Sequence, residues 1–304
     1  MRIVMMGAGG VGGLLGARLL EAGCDVSFIA RGAHLAALQA GGLRIDSKAH
    51  GALHLNPVRA SDRAEQLGVA DYVLISVKLA DSEAAAQLVR PLVGPQTTVI
   101  SLQNGVTKDE LLWREYGRDA VVGGVAYVGA YIAEPGVIHQ IGSMQGISLG
   151  EYDGSRSERV QALAAVLTQA GVKAHVSGDI RRTIWEKFVL LVGLAGVTTA
   201  MRSRIGPIRA NARSRALLLQ LMHEVVAVGR ASGVDLPADF ARDRLAFIDT
   251  MPENMDSSMH HDLRVGRPLE VNWFSGAVVD LGRQNDVATP ANEAVAALLA
   301  LHAG

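Results

Sequence analysis

Gly7-Ala8-Gly9-Gly10-Val11-Gly12 follows directly on the apolar run Arg2-Ile3-Val4-Met5-Met6 and opens an apolar-periodic stretch over residues 14–20. A G-x-G-x-x-G between a buried strand and a helix limits the fold more than any other feature of this chain. Gly7 allows the tight turn, Gly9 lets a backbone approach a pyrophosphate, and Gly12 lets helix and strand pack closely. Ala8, Gly10 and Val11 carry the backbone between them, and free N–H groups at the helix start meet the anion. A second strand over residues 24–30 leaves Arg31 at its carboxyl end. A protein that takes NAD usually has an acid there to grip the ribose 2′-hydroxyl. Here a guanidinium stands instead, which suits a 2′-phosphate, so the expected cofactor is NADP(H). Two plainer readings stand beside this one: a glycine-rich turn with no ligand, and an arginine that is only a solvated loop residue. Strand, turn, helix, strand and cation in this order weigh against the first.

At 304 residues the chain exceeds one ordinary domain and fits two. With 49% apolar residues and a formal net charge of −1, it has the composition of a large core and no surface that seeks a polyanion. Nucleic acid is therefore not an expected partner. The single cysteine, Cys24, falls in the second strand, where a buried thiol acts as a small hydrophobe. The sequence begins on the first strand, without a basic stretch followed by an apolar segment and a cleavage site. The nearly uncharged run over residues 188–200 is shorter than the about 20 residues needed to cross a bilayer. A buried helix, no membrane partner and a cytoplasmic location are the expectations. His260-His261 is the only adjacent histidine pair, and neighbours on a helix point about 100° apart. No metal is expected.

Residues 32–61 are less regular, with short strands expected around His54 and Leu55. An apolar strand over residues 71–78 delivers Lys78 at its carboxyl end, and another over residues 97–102 ends in Gln103-Asn104-Gly105. Ligands of an open parallel sheet lie outside the carboxyl ends of its strands, so Arg31, Lys78 and Asn104 should share one edge. Asn-Gly is also an ordinary turn signal, and a lysine at a strand end an ordinary surface charge. Residues 120–150 read as short β-rich pieces around the turn Glu134-Pro135-Gly136, an added antiparallel portion. A helix over residues 157–170 and a last strand over residues 172–176 follow.

Beyond Asp179 strand signals nearly vanish. Helical runs cover residues 180–201, 210–232, 238–249, 269–286 and 290–302, punctuated by Gly233, Pro237, Pro252, Gly266-Arg267-Pro268 and Thr289-Pro290. The fold class is α/β: a Rossmann-type dinucleotide-binding domain over residues 1–178 with an added antiparallel portion, then an all-α domain over residues 179–304. The default site for a substrate is the cleft between them. The apolar Leu217-Leu218-Leu219 and Val225-Val226 faces would serve a homodimer interface as well as a core.

A nicotinamide carries the hydride itself; a protein must hold a carbonyl beside it and supply a proton as the oxygen becomes an alkoxide. Lys187, in Trp185-Glu186-Lys187-Phe188, stands at the rim of the apolar run, where desolvation lowers a lysine pKa towards a useful range. The same residue could merely end an amphipathic face.

The order of Gly7-x-Gly9-x-x-Gly12, Arg31, Lys78, Asn104-Gly105, Trp185-x-Lys187, Ser257-Ser258-Met259 and Glu270 resembles the ketopantoate reductase family over essentially the whole chain. The spacing from Ser258 through Asp262 and Arg264 to Glu270 matches as well. This resemblance implies NADPH-dependent reduction of ketopantoate, a small-molecule 2-keto acid, to pantoate, a step of pantothenate biosynthesis. By carry-over, Lys187 would be the general acid, and Glu270 would bind a substrate hydroxyl and position the lysine. Ser258 would hold the substrate carboxylate, Asn104 would line the nicotinamide and substrate site, and Arg31 and Lys78 would bind cofactor phosphates. Glu270 also has a plain role, since an acid just after Pro268-Leu269 favours the start of the next helix.

The family carries asparagines four and eight residues after its lysine, on one helical face; this chain has Leu191 and Ala195 at these substrate-binding positions. A polar site discriminates by 10⁴ or more and an apolar one by only ~10². A permissive pocket that accepts other branched 2-keto acids is the expected consequence, unless Thr198, Thr199 or Asn272 replaces the amides. A nucleotide sensor without catalysis is the rival from another class, and the retained Lys187 and Glu270 argue against it.

Overall fold

The computed structural model describes residues 1–304. Ten strands form one sheet: β1 (Arg2–Met6), β2 (Asp25–Ile29), β3 (Leu43–Ser47), β4 (Leu53–Leu55), β5 (Arg59–Ser61), β6 (Tyr72–Ile75), β7 (Thr98–Ser101), β8 (Val121–Glu134), β9 (Val137–Gly150) and β10 (Lys173–Val176). Its order is β4-β3-β9-β8-β7-β6-β1-β2-β5, with β10 added on β9. From β5 to β8 every pairing is parallel. β8 and β9 form the antiparallel hairpin, and β3 and β10 lie parallel to β9. Where short pieces were expected over residues 120–150, the hairpin has two strands of 14 residues, with register shifts between Val128 and Ala130 and between Ile132 and Glu134.

The central strands are apolar on both faces because helices cover both. Successive side chains alternate. Ile3, Met5, Leu74 and Ile100 join one core with α1 (Gly10–Glu21) and a second helix, α2 (Gly32–Gly41). Val4, Met6, Val73, Ile75 and Val99 face the other core, with α3 (Ser82–Leu88) and α4 (Lys108–Tyr116). α5 (Glu158–Gln169) adds Val160, Leu163 and Leu167 to the first core, and Ser157 caps it by accepting from the Val160 N–H. Two expectations fail here. α2 occupies ten of the residues read as irregular, starting without a side-chain cap and ending on Gly42 at φ +78. Cys24 precedes β2 rather than lying in it, and is only half-buried, with burial pushing its thiol pKa up.

Two compact units divide the chain: residues 1–104 with 108–180, and residues 105–107 with 181–304. The second is helical, from the body of α6 (Ile180–Ala200) through α7 (Ile205–Ala210), α8 (Ala212–Ala231), α9 (Phe240–Asp249), α10 (Ser258–Arg264) and α11 (Ser275–Gln284) to α12 (Pro290–Leu299). By length and composition the 21-residue α6 could cross a membrane, although the run over residues 188–200 looked too short. It is instead a core helix, with 67% of its apolar window buried. A Cβ on Gly193 would fall 2.5 Å from Met222 Cγ, and one on Gly229 would fall 2.7 Å from Trp185 Cε3, so glycines on both α6 and α8 let the two helices touch closely. Leu218, Val225 and Val226 are consumed by this core, and Leu217 and Leu219 pack against its margin. The helix expected over residues 269–286 is broken: a 3₁₀ turn, Val271–Trp273, precedes Phe274 at φ −105 and ψ −99, and α11 starts only at Ser275.

The buried Glu224 carboxylate on α8 replaces an ordinary cap for α12. It accepts from the Ala291 N–H (2.9 Å), the Asn292 N–H (2.9 Å) and Asn292 Nδ2 (2.8 Å), where Pro290 has no N–H to offer.

Candidate functional site

In the sheet-bearing unit, β2, β1, β6 and β7 are adjacent and parallel, so their carboxyl ends share an edge. The glycine turn leaves β1 there. Gly7 has φ +102 and donates its N–H to the Ile29 carbonyl at 3.1 Å, tying the turn to β2. A Cβ on Gly12 would lie 2.1 Å from Gly7 O, so the helix starts hard against the strand end. A Cβ on Gly9 would meet nothing within 4 Å. Ala8 is buried and Val11 half-buried. α1 has no side-chain cap and no acid in its first turn, which leaves its N–H groups and dipole to an anion. This open face over Gly9 and the strained φ at Gly7 fit a dinucleotide pyrophosphate.

Gly10, outside the three motif glycines, is required for a different reason. A Cβ there would fall 2.1 Å from the Ala130 carbonyl oxygen, because β8 crosses the first turn of α1. No local pattern announces that contact.

Arg31 sits at the end of β2 with its side chain 84% exposed, and its Nη2 donates to both Asp81 oxygens at 3.3 Å. The acid missing after β2 in the sequence is thus brought in from the loop after β6. Lys78 is exposed and starts the 3₁₀ turn Leu79–Asp81. Asn104 is half-buried and precedes Gly105 at φ +103. Gln103, not singled out in the sequence, joins the two strand ends. Its Oε1 accepts from Ser101 Oγ (2.9 Å), and its Nε2 donates to Ser82 Oγ (2.8 Å) and to the Lys78 carbonyl (3.3 Å).

In the helical unit, Lys187 is half-buried on α6 between buried Ile184-Trp185 and Phe188-Val189. Leu191, half-buried, and Ala195, buried, follow it on the same face. Thr198 continues that face fully buried, its Oγ1 donating to the Leu194 carbonyl (2.7 Å) and bonded to Ser257 Oγ (2.7 Å). Ser257 in turn caps α10 by accepting from the His260 N–H at 3.1 Å. Ser258, the predicted carboxylate holder, is exposed at the first position of α10. Of the proposed replacements for the amides, Thr198 is already engaged, Thr199 is fully buried and Asn272 is exposed on the 3₁₀ turn. His260 bonds Asp256 through Nδ1 at 2.6 Å.

Glu270 is buried, and it stands at the N-cap position of the 3₁₀ turn that follows it without a side-chain cap hydrogen bond to that turn. The short turn after it ends at Phe274, whose ring meets that of Phe188 edge-on at 6.2 Å. Phe274, four residues after Glu270, is thereby packed on α6 against the residue that follows Lys187.

A largely parallel sheet with a glycine turn at its carboxyl edge is the Rossmann-like arrangement of dinucleotide-binding proteins. The family profile described as "Ketopantoate reductase PanE/ApbA" matches residues 3–154, and its "C terminal" counterpart matches residues 179–303. A 2-dehydropantoate 2-reductase of Mesorhizobium japonicum is 36% identical over 320 residues, covering 98% of this chain and 97% of the relative. The crystal structure of a 2-dehydropantoate 2-reductase from Geobacter metallireducens superposes with a TM-score of 0.93 at 33% identity, over 99% of each chain. A D-mandelate dehydrogenase solved with NADH and anilino(oxo)acetate shares the fold, with a TM-score of 0.90 at 20% identity over 99% of this chain and 98% of that one. The chain belongs to the ketopantoate reductase family, nicotinamide-dinucleotide-dependent oxidoreductases that act on CH–OH groups.

Proposed function

We propose that this chain reduces the keto group of a 2-keto acid with NADPH, and that ketopantoate, converted to pantoate, is the first substrate to test. The observation that carries this reading is the half-buried Lys187 on α6 together with the buried Glu270, four residues before the Phe274 ring that meets Phe188 of the same helix. A reduced nicotinamide, when bound, supplies hydride to the keto carbon. As the carbon–oxygen π pair moves onto oxygen, the Lys187 ammonium gives it a proton and is recharged from solvent. Glu270 orients the ammonium and accepts from a substrate hydroxyl, and Ser258 donates to the substrate carboxylate. Asn104 lines the nicotinamide and substrate site, the turn over residues 7–12 holds the pyrophosphate, and Arg31 and Lys78 hold the 2′-phosphate end.

Leu191 and Ala195 make the face beyond the lysine apolar, which supports a permissive pocket. A steady-state comparison of ketopantoate with 2-ketoisovalerate tests it: we expect less than a hundredfold preference. A preference above a thousandfold overturns the permissive reading. Leu191→Asn should move the ratio towards ketopantoate. No turnover with any 2-keto acid would favour a nucleotide sensor instead. Asp81 beside Arg31 supports a second reading of the cofactor, since its carboxylate can accept from ribose hydroxyls and so admit NADH.

A further inference from the structure

His34 lies in the first turn of α2, half-buried, and touches two other segments. Its Nε2 is 2.8 Å from the carbonyl oxygen of Ala8, inside the glycine turn. Its Nδ1 accepts the backbone N–H of Gly136, in the β8–β9 hairpin turn, at 3.1 Å. Gly136 is itself held at φ +81, and its carbonyl accepts from the Arg44 N–H of β3 at 2.9 Å.

These two bonds fix the ring's chemistry. A nitrogen that accepts carries no proton, so Nδ1 is bare and the proton of the neutral ring is on Nε2, donated to Ala8. An imidazolium has an N–H on both nitrogens and would set a second donor against that of Gly136.

The bond to Ala8 also fixes its neighbour. The only cis peptide is Asn56–Pro57, so the Ala8–Gly9 peptide is trans, and its C=O and N–H point in opposite directions. Pinning the Ala8 carbonyl towards α2 aims the Gly9 N–H away from α2. An unpinned peptide could turn its carbonyl oxygen towards the anion, replacing an attraction with a repulsion.

We propose that neutral His34 is a positioning residue for the dinucleotide, holding the Ala8–Gly9 peptide in the orientation that presents the Gly9 N–H to the pyrophosphate. The proposal rests on the reading that this turn cradles the cofactor. Because the pyrophosphate is common to both cofactors, His34 governs NADPH and NADH alike, unlike Arg31. It also makes cofactor affinity depend on pH. Burial lowers the His34 pKa below its ordinary value, and the bond to Ala8 only partly offsets this. The charged or titratable side chains on the elements around it are Arg31, Arg44, Asp46, Tyr131 and Glu134, all exposed, with Tyr127 and His139 half-buried, and the glycine turn has none.

The test is a fluorescence titration of the full chain with NADPH and with NADH, for the wild type and three variants. His34→Gln keeps a donor where Nε2 stands and loses the acceptor. His34→Asn keeps an acceptor near Nδ1 and loses the donor, and His34→Ala loses both. His34→Ala and His34→Asn should weaken both cofactors on the order of tenfold, the scale of one hydrogen bond, with kcat at saturating cofactor within about twofold. His34→Gln should stay near wild type. Wild-type affinity should hold through the ordinary value of 6.5 and fall only at lower pH, where the lowered His34 pKa is crossed, and that of His34→Gln should not. The proposal is overturned if His34→Asn binds like the wild type, if His34→Gln is as weak as His34→Ala, or if only NADPH is affected. A wild-type chain that binds neither dinucleotide would sink the cofactor reading itself, a separate failure.

Discussion

Around the glycine turn, backbone makes the contacts that set its path: the Gly7 N–H on Ile29, the Gly12 approach to Gly7, and the Ala130 carbonyl over Gly10. Along the Lys187 face of α6 they are side-chain contacts: Phe188 on Phe274, and Thr198 on Ser257. A site of the first kind leaves little room for an added atom at Gly10 and Gly12, and few side chains, His34 and Ser76 among them, hold it. A site of the second kind keeps its fold through substitution and changes what it accepts, and Leu191 and Ala195 make this face apolar.

The largest effect expected is confined to the side-chain site. Lys187→Ala should lower kcat by about 10²–10⁴-fold, with NADPH affinity and thermal unfolding nearly unchanged. A matching loss of cofactor binding would break the division. Next come paired glycine variants in the backbone site. Gly10→Ala forces a Cβ onto the Ala130 carbonyl and should destabilise by about 1–3 kcal/mol, seen as a lower Tm. Gly9→Ala meets no protein atom and should leave Tm alone while weakening cofactor binding. Equal Tm losses would refute this reading of the turn. Arg31→Ala should raise the KM for NADPH roughly tenfold, the worth of a charge-assisted contact, and leave that for NADH little changed. Asp81→Asn should lower the KM for NADPH by a smaller factor. Equal losses for both cofactors would remove Arg31 from the 2′-phosphate. The smallest effect is Ser257→Ala, which loses the α10 cap and should cost about 1 kcal/mol in denaturant unfolding, with catalysis nearly intact.

What the sequence made legible follows the same division. β1, the turn and α1 are contiguous, so one local pattern specified them, and the parallel order of β2, β1, β6 and β7 then placed Arg31, Lys78 and Asn104 on one edge. Residues whose importance comes from distant partners gave no local signal. Gly10 is explained only by Ala130, and His34 only by Ala8 and Gly136. Asp81 reads as an ordinary loop acid until it meets Arg31. α7 and α10, with 6 and 7 residues, are too short to show a period. α2 went unread because no cap marks its start. The break at Phe274 was hidden because apolar residues continue through it.

The contact between Gly10 and Ala130 also has a temporal side. The glycine turn is synthesised before the strand that presses on it. A nascent chain that has not reached the hairpin carries the whole motif with its helix uncovered. Pairings between remote segments are slow to form, and such half-clothed intermediates are the ones prone to aggregate. The glycine motif is made before the hairpin that covers it, and it should reach its final form only after that hairpin has closed.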